Sequence, residues 1–133
     1  MHPSYRMPFS TLVSLHLPAG GVVATQAESL WLHMDIIKGV LSVGQECFKG
    51  GCVGYAYTTV PTYPSGQIGF MLCSKPADGS PNDLSKPKRA VPDSAPGHQA
   101  PLRYYSEALH PTMFVLPRFA SETLAPFLRV SNE

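Results

Sequence analysis

Apolar and polar positions alternate with two different periods along this chain, and the switch between them marks its elements. After the turn Pro18-Ala19-Gly20-Gly21, the run Val22-Val23-Ala24-Thr25-Gln26 is short, β-branched and apolar, the pattern of a strand buried on both faces. Then the period lengthens. Leu30, Met34, Ile37 and Leu41 share one helical stripe, Lys38, Ser42 and Gln45 lie opposite, Ser29 stands as the N-cap, and Gly50-Gly51 is the stop. Cys52 to Val60 and Gln67 to Ser74 read as two further strands, with Pro61 and Pro64 bracketing a link short enough to favour antiparallel pairing. The order strand, helix, strand, strand predicts one crossover unit followed by a strand pair, a mixed α/β sheet.

The remainder is less regular. Residues 76–101 are dense in Pro, Ser, Asp, Gly and Lys and read as a solvent loop or disordered insert. Apolar character returns over 102–133. There Phe114, Val115, Leu116, Phe119, Ala120 and Leu124 suit a terminal helix beginning near Pro117 and ended or bent by Pro126. Residues 1–17 form a leader that matches neither pattern. Its apolar stretch from Phe9 to Leu17 is broken by Ser10, Thr11, Ser14 and His16, and no small-residue cleavage site follows, so it is not read as a signal peptide.

Composition narrows the classes. In 133 residues, 44% are apolar and 14% charged, the balance of a single packed domain rather than a disordered chain. With 10 Lys+Arg against 9 Asp+Glu, the net charge is +1 and the largest basic group is Lys86, Lys88 and Arg89. Nucleic acid and anionic membrane are therefore not expected partners. No apolar run approaches the ~20 residues that span a bilayer. Cys47, Cys52 and Cys73 lack C-x-x-C spacing and sit in apolar runs, as small buried thiols do, which suits a cytoplasmic chain.

Most chemical motifs fail on context. Gly50-Gly51-Cys52-Val53-Gly54 follows a helix and precedes a strand, the reverse of a dinucleotide loop. His2, His16, His33, His98 and His110 show no metal-ligand spacing, so no metal is expected. No G-x-S-x-G elbow surrounds Ser65. The turn P-T-Y-P-S-G, Pro61 to Gly66, places Tyr63 at a strand end, where open α/β sheets bind ligands; taken alone, Tyr63 reads first as a turn or packing residue.

Three longer stretches change that reading. G-G-V-V-A-T-Q-A-E-S-L-W-L-H-M-D-I-I-K (Gly20 to Lys38), Y-A-Y-T-T-V-P-T-Y-P-S-G-Q-I-G-F-M-L-C-S-K (Tyr55 to Lys75) and P-L-R-Y-Y-S-E-A-L-H with F-V-L-P-R-F-A resemble the spermidine synthase family, most closely its plant and green-algal members. The resemblance implies aminopropyl transfer from decarboxylated S-adenosylmethionine to putrescine. It implies a fold as well, the C-terminal half of a Rossmann-like, class I methyltransferase-type mixed sheet with an antiparallel final strand. On it, 18–75 is a partial aminopropyltransferase domain and 102–133 its C-terminal helical segment.

Carried over position by position, Gln26 matches the family glutamine that faces the diamine, Tyr63 the tyrosine that contacts its amine, and Ile68 an apolar wall of the same pocket. Trp31 lies nearby and reads as helix packing. The family's G-G-G-D-G-G cofactor loop and D-S-S-D-P-type segment with the general-base aspartate are absent, so no catalytic residue is assigned and no cofactor site is retained. The chain as given is accordingly expected to be an inactive fragment. A spermine synthase, a putrescine N-methyltransferase relative and a non-catalytic docking partner are the alternatives. The resemblance also implies that Val22 to Gln26 has lost a neighbouring strand, leaving an edge through which a homo- or hetero-oligomer can form.

Overall fold

A computed structural model describes residues 9–76, 83–95, 97 and 99–129. Helix α1 (Phe9–His16) leads into strand β1 (Val22–Gln26), helix α2 (Met34–Cys47), and strands β2 (Cys52–Thr59) and β3 (Gln67–Ser74). Two short helices, α3 (Leu109–Thr112) and α4 (Arg118–Leu124), follow, and a single 3-10 turn at Ala125–Phe127 places the predicted stop at Pro126.

The sheet order is β1-β3-β2, with β3 antiparallel to both neighbours. The antiparallel final strand is thus present. The expected mixed sheet is not seen among the described residues, where both strand pairs are antiparallel and β1 and β2, though they run the same way, are separated by β3. Residues paired across the ladders share a face, so Val53, Tyr55, Met71 and Cys73 all turn toward α2. There they meet Ile37 and Leu41 of α2, Phe48 just beyond it, and Ala120 and Leu124 of α4, which together form the core. Gly44 lets the helix approach closely, since a Cβ there would stand 2.8 Å from Met71 Sδ.

The two sheet edges differ. On β2, part of the outward backbone is taken up: Val53 and Arg129 exchange hydrogen bonds of 2.9 and 2.8 Å, and Tyr57 N–H donates to Met113 O at 3.0 Å. The Arg129 guanidinium also donates to Gly51 O at 3.1 Å, just beyond the C-terminal end of α2. On β1, Ala27 N–H bonds Gly69 O, so by the alternation of an antiparallel ladder Val23 and Thr25 face β3 while Val22, Ala24 and Gln26 aim their N–H and C=O groups outward. Among the described residues nothing pairs with that edge.

Consequently β1 is mostly exposed, contrary to its reading as a strand buried on both faces, and β2 is the strand buried along most of its length. An all-apolar run signals double burial only where layers exist to cover it, and the described residues supply α2 on one face alone. The helix start also differs. Helix α2 begins at Met34 with His33 as its N-cap, while Ser29 closes the separate turn ahead of it, its Oγ accepting from Trp31 N–H at 3.3 Å. Nor is the 76–101 segment wholly solvated. Leu84 is buried, and its carbonyl accepts from His110 Nε2 at 2.9 Å while Tyr105 Oη–H donates to His110 Nδ1 at 2.7 Å.

Candidate functional site

The β1–α2 connection is anchored from beneath by Tyr55. Its buried hydroxyl donates to Ala27 O at 2.8 Å, with Glu28 O at 3.3 Å, and Gly69 N–H donates to Glu28 O at 2.8 Å. Held by its carbonyl from two sides, Glu28 adopts φ 59°, a left-handed conformation that an ordinary side chain seldom takes. The constraint aims its side chain away from the ladder. Burial, reinforced by the Glu28 carboxylate, pushes the Tyr55 hydroxyl well above its ordinary range, so it stays a donor at any ordinary pH.

The second wall comes from the β2–β3 turn. Val60 N–H bonds Gly66 O at 2.9 Å and Gly66 N–H bonds Tyr63 O at 2.8 Å, while Ser65 stands at φ 68°. Ser29 Oγ, 2.7 Å from Ser65 Oγ, fastens this turn to the first one. Between them lies an open cavity of about 220 Å³, and it contains all three expected residues, Gln26, Tyr63 and Ile68. Leu32 and Pro64 add apolar surface; Glu28, Ser29, His33 and Gln67 add polar atoms. Glu28 Oε2 lies 3.4 Å from His33 Nδ1, an ion-pair distance when the imidazole is protonated. Left-handed residues that are not glycine tend to persist at sites of function; Glu28 lines this cavity, and Ser65 follows Pro64, which lines it too.

The cavity sits at the mouth of the sheet, where β1 ends and β3 begins. Gln26 and Tyr63 are exposed, and Ile68 is half-buried. Their convergence comes from the ladder, since Gln26 pairs with Phe70, two residues beyond Ile68. The sequence reading missed Glu28, His33 and Gln67. Glu28 lies just past the end of β1 in a left-handed conformation, which strand spacing does not signal.

Trp31 is not on α2. It is 58% exposed in the turn before the helix, its ring centroid 4.8 Å from that of Phe119, and its Nε1–H donates to Gln67 Oε1 at 2.8 Å. Its packing is thus against helix α4, with a polar contact to Gln67 beside it.

Hollows of about 370 and 350 Å³ lie elsewhere. The first opens under Lys86, Lys88 and Arg89, and the second is an apolar trough between β1 and the helices that Gln26 only borders. Neither brings the three expected residues together. Among the described residues no group of His, Cys, Asp and Glu has the arrangement of a metal site. Among the described residues Cys47, Cys52 and Cys73 are in no disulfide, and no helix is long and apolar enough to cross a membrane.

Comparison with known proteins decides the family. The Spermine/spermidine synthase domain matches residues 1–83, which includes the segment before Pro18. The chain belongs to the spermine/spermidine synthase family. Similar relatives of this family include spermidine synthase 2 of Arabidopsis thaliana, 48% identical over 122 residues, and spermidine synthase 1 of Hyoscyamus niger, 46% identical over 121. Each alignment covers 90% of this chain but only 35% and 38% of those proteins, so the chain spans little more than a third of their length.

The fold agrees with the family. Spermidine synthase from Thermotoga maritima superposes with a TM-score of 0.68 at 23% identity, over 89% of this chain and 39% of that one. A second solved spermidine synthase, in complex with the transition-state analogue AdoDATO, gives 0.60 over 80% and 34%. The three-stranded sheet with its crossover helix is thus part of the Rossmann-like spermidine synthase fold. The family is one of aminopropyltransferases.

Proposed function

We propose that this chain supplies the acceptor wall of an aminopropyl-transfer site, with putrescine as acceptor and decarboxylated S-adenosylmethionine as donor. The observation that supports it is the convergence of Gln26, Tyr63 and Ile68, far apart in sequence, on one cavity with Glu28 at its side. Ile68, Leu32 and Pro64 suit the methylene chain of a diamine. The Gln26 amide oxygen, the Tyr63 hydroxyl and the Glu28 carboxylate are the acceptors an ammonium needs, and charge-assisted bonds are the stronger kind.

Transfer forms a bond from nitrogen to the carbon beside a sulfonium and breaks the carbon–sulfur bond. The attacking amine must be neutral, whereas an alkylamine like that of lysine has a pKa near ~10.4 and is protonated at neutral pH. A general base has to remove that proton. We assign this chain the holding of the acceptor, by hydrogen bonds at one end and apolar contact along its length. Base and donor pocket come from the cofactor-binding part of the fold, in the same polypeptide or another, joined along the open edge of β1 where Val22, Ala24 and Gln26 offer their backbone groups. We assign the assembly to the cytoplasm, a reading that suits Cys47, Cys52 and Cys73, none of which is in a disulfide.

The test grafts this chain in place of the matched segment of the Arabidopsis thaliana synthase and compares putrescine with 1-butylamine, which lacks the second ammonium. Glu28→Gln should weaken putrescine binding about tenfold and leave 1-butylamine unchanged. Equal loss for both ligands, or none for either, would remove Glu28 and its cavity from diamine recognition.

A further inference from the structure

Trp31 is the only tryptophan in the chain, and it is left more than half exposed, at 58%. A large aromatic ring in that position is held by something other than burial. Two contacts do so: the ring of Phe119 on α4, at 4.8 Å, and the side chain of Gln67, whose Oε1 accepts from the indole Nε1–H at 2.8 Å. Gln67 opens β3 directly before Ile68, and both line the cavity described above.

Indole nitrogen is a donor only. The atom it meets must therefore be the amide oxygen, which resolves the orientation of the Gln67 amide and leaves the oxygen's second lone pair as the acceptor open to an ammonium, since the NH2 group is itself a donor. The Phe119 contact matters here, since an exposed side-chain hydrogen bond ordinarily has to order two mobile groups. With the indole already stacked, only the glutamine has to be ordered.

Resting on the reading of the cavity as an acceptor wall, we propose that Trp31 is a positioning residue that locks the Gln67 amide at the cavity rim and thereby sets the affinity for the diamine. Without the indole N–H, the amide rotates freely, presents either end to the cavity, and has to be ordered each time an acceptor binds. That cost falls on ground-state binding. It appears in KM and leaves kcat nearly alone.

Trp31→Phe keeps a ring against Phe119 and removes the N–H; Phe119→Ala keeps the N–H and removes the stack. In the grafted synthase, Trp31→Phe should raise KM for putrescine about two- to twelvefold with kcat within about twofold, and Phe119→Ala should do so by less. In the full chain without ligand, the Gln67 side-chain NH2 signals in 15N-edited NMR should be well dispersed, and collapse toward free-amide positions in Trp31→Phe. A purely structural role would instead lower the melting temperature of both variants and move kcat and KM together, which overturns the proposal. So would unchanged Gln67 signals in Trp31→Phe. If the graft with Trp31 intact fails to use putrescine, the reading of the cavity falls, and the Gln67 signals alone decide whether the lock exists.

Discussion

Ser29 Oγ lies 2.7 Å from Ser65 Oγ, and this contact ties the turn carrying Glu28 to the turn carrying Tyr63. Ser29 is buried and its Oγ also accepts from Trp31 N–H at 3.3 Å, so its removal loosens two turns together. Ser29→Ala is expected to cost about 0.5–1.5 kcal/mol and to speed hydrogen exchange at Gly66 N–H, which closes the Tyr63 turn. Wild-type exchange at Gly66 would show that the turn holds itself.

Tyr55 and Gly69 fit each other with no room to spare. A Cβ on Gly69 would stand 1.7 Å from Tyr55 Oη, 2.4 Å from Cζ and 2.9 Å from Glu28 O, so Gly69→Ala is expected to destabilise by about 3 kcal/mol or more. Tyr55→Phe should not rescue it, because the ring carbon still clashes. Alone, Tyr55→Phe leaves the buried Ala27 carbonyl without this donor and should cost about 1–3 kcal/mol. Denaturant melts of the three variants check the set; a Gly69→Ala chain as stable as wild type would refute the close contact.

Alkaline pH should weaken the fold. Burial, with a smaller contribution from Cys47, pushes the Cys73 thiol from 9.0 up to about 12, and burial raises Cys52 and Tyr55 as well. A raised folded-state pKa means the folded chain holds the proton more tightly. The stability it contributes is full below the unfolded value and is lost as pH climbs from about 9 toward 12. Thermal melts from pH 7 to 11 should fall most steeply above pH 9, and Cys73→Ala should flatten that fall. A slope unchanged in the variant would assign the loss to other groups.

How far the sequence reached is clearest at single residues. Strand β3 spans Gln67 to Ser74 as its alternation predicts, and β2 ends one residue before the predicted Val60. Both are fixed by period and by the prolines between them, which are local. The start of α2 was misjudged because Ser29 is a good N-cap by type, yet it closes the separate turn ahead of the helix, its hydroxyl also meeting Ser65, 36 residues away. No local rule sees that partner.

The same division holds at the cavity. Gln26, Tyr63 and Ile68 were legible through motif resemblance, whereas Glu28 entered only because its left-handed backbone turns it out of the strand pattern. Gln67 is another case, its amide oriented by the indole of Trp31, which the sequence reads only as packing. Strand β1 misled differently. Its V-V-A-T-Q run reads as buried on both faces, and among the described residues it is mostly exposed.

The acceptor preference of the grafted synthase tests the central claim most directly. With this chain replacing the matched segment of the Arabidopsis thaliana enzyme, aminopropyl transfer should go to putrescine in preference to spermidine. Tyr63→Phe should raise KM for putrescine by about two- to twelvefold, the equivalent of one lost polar contact. A folded graft that transfers to neither amine, prefers spermidine, or ignores Tyr63→Phe would contradict the assignment of this cavity to the diamine.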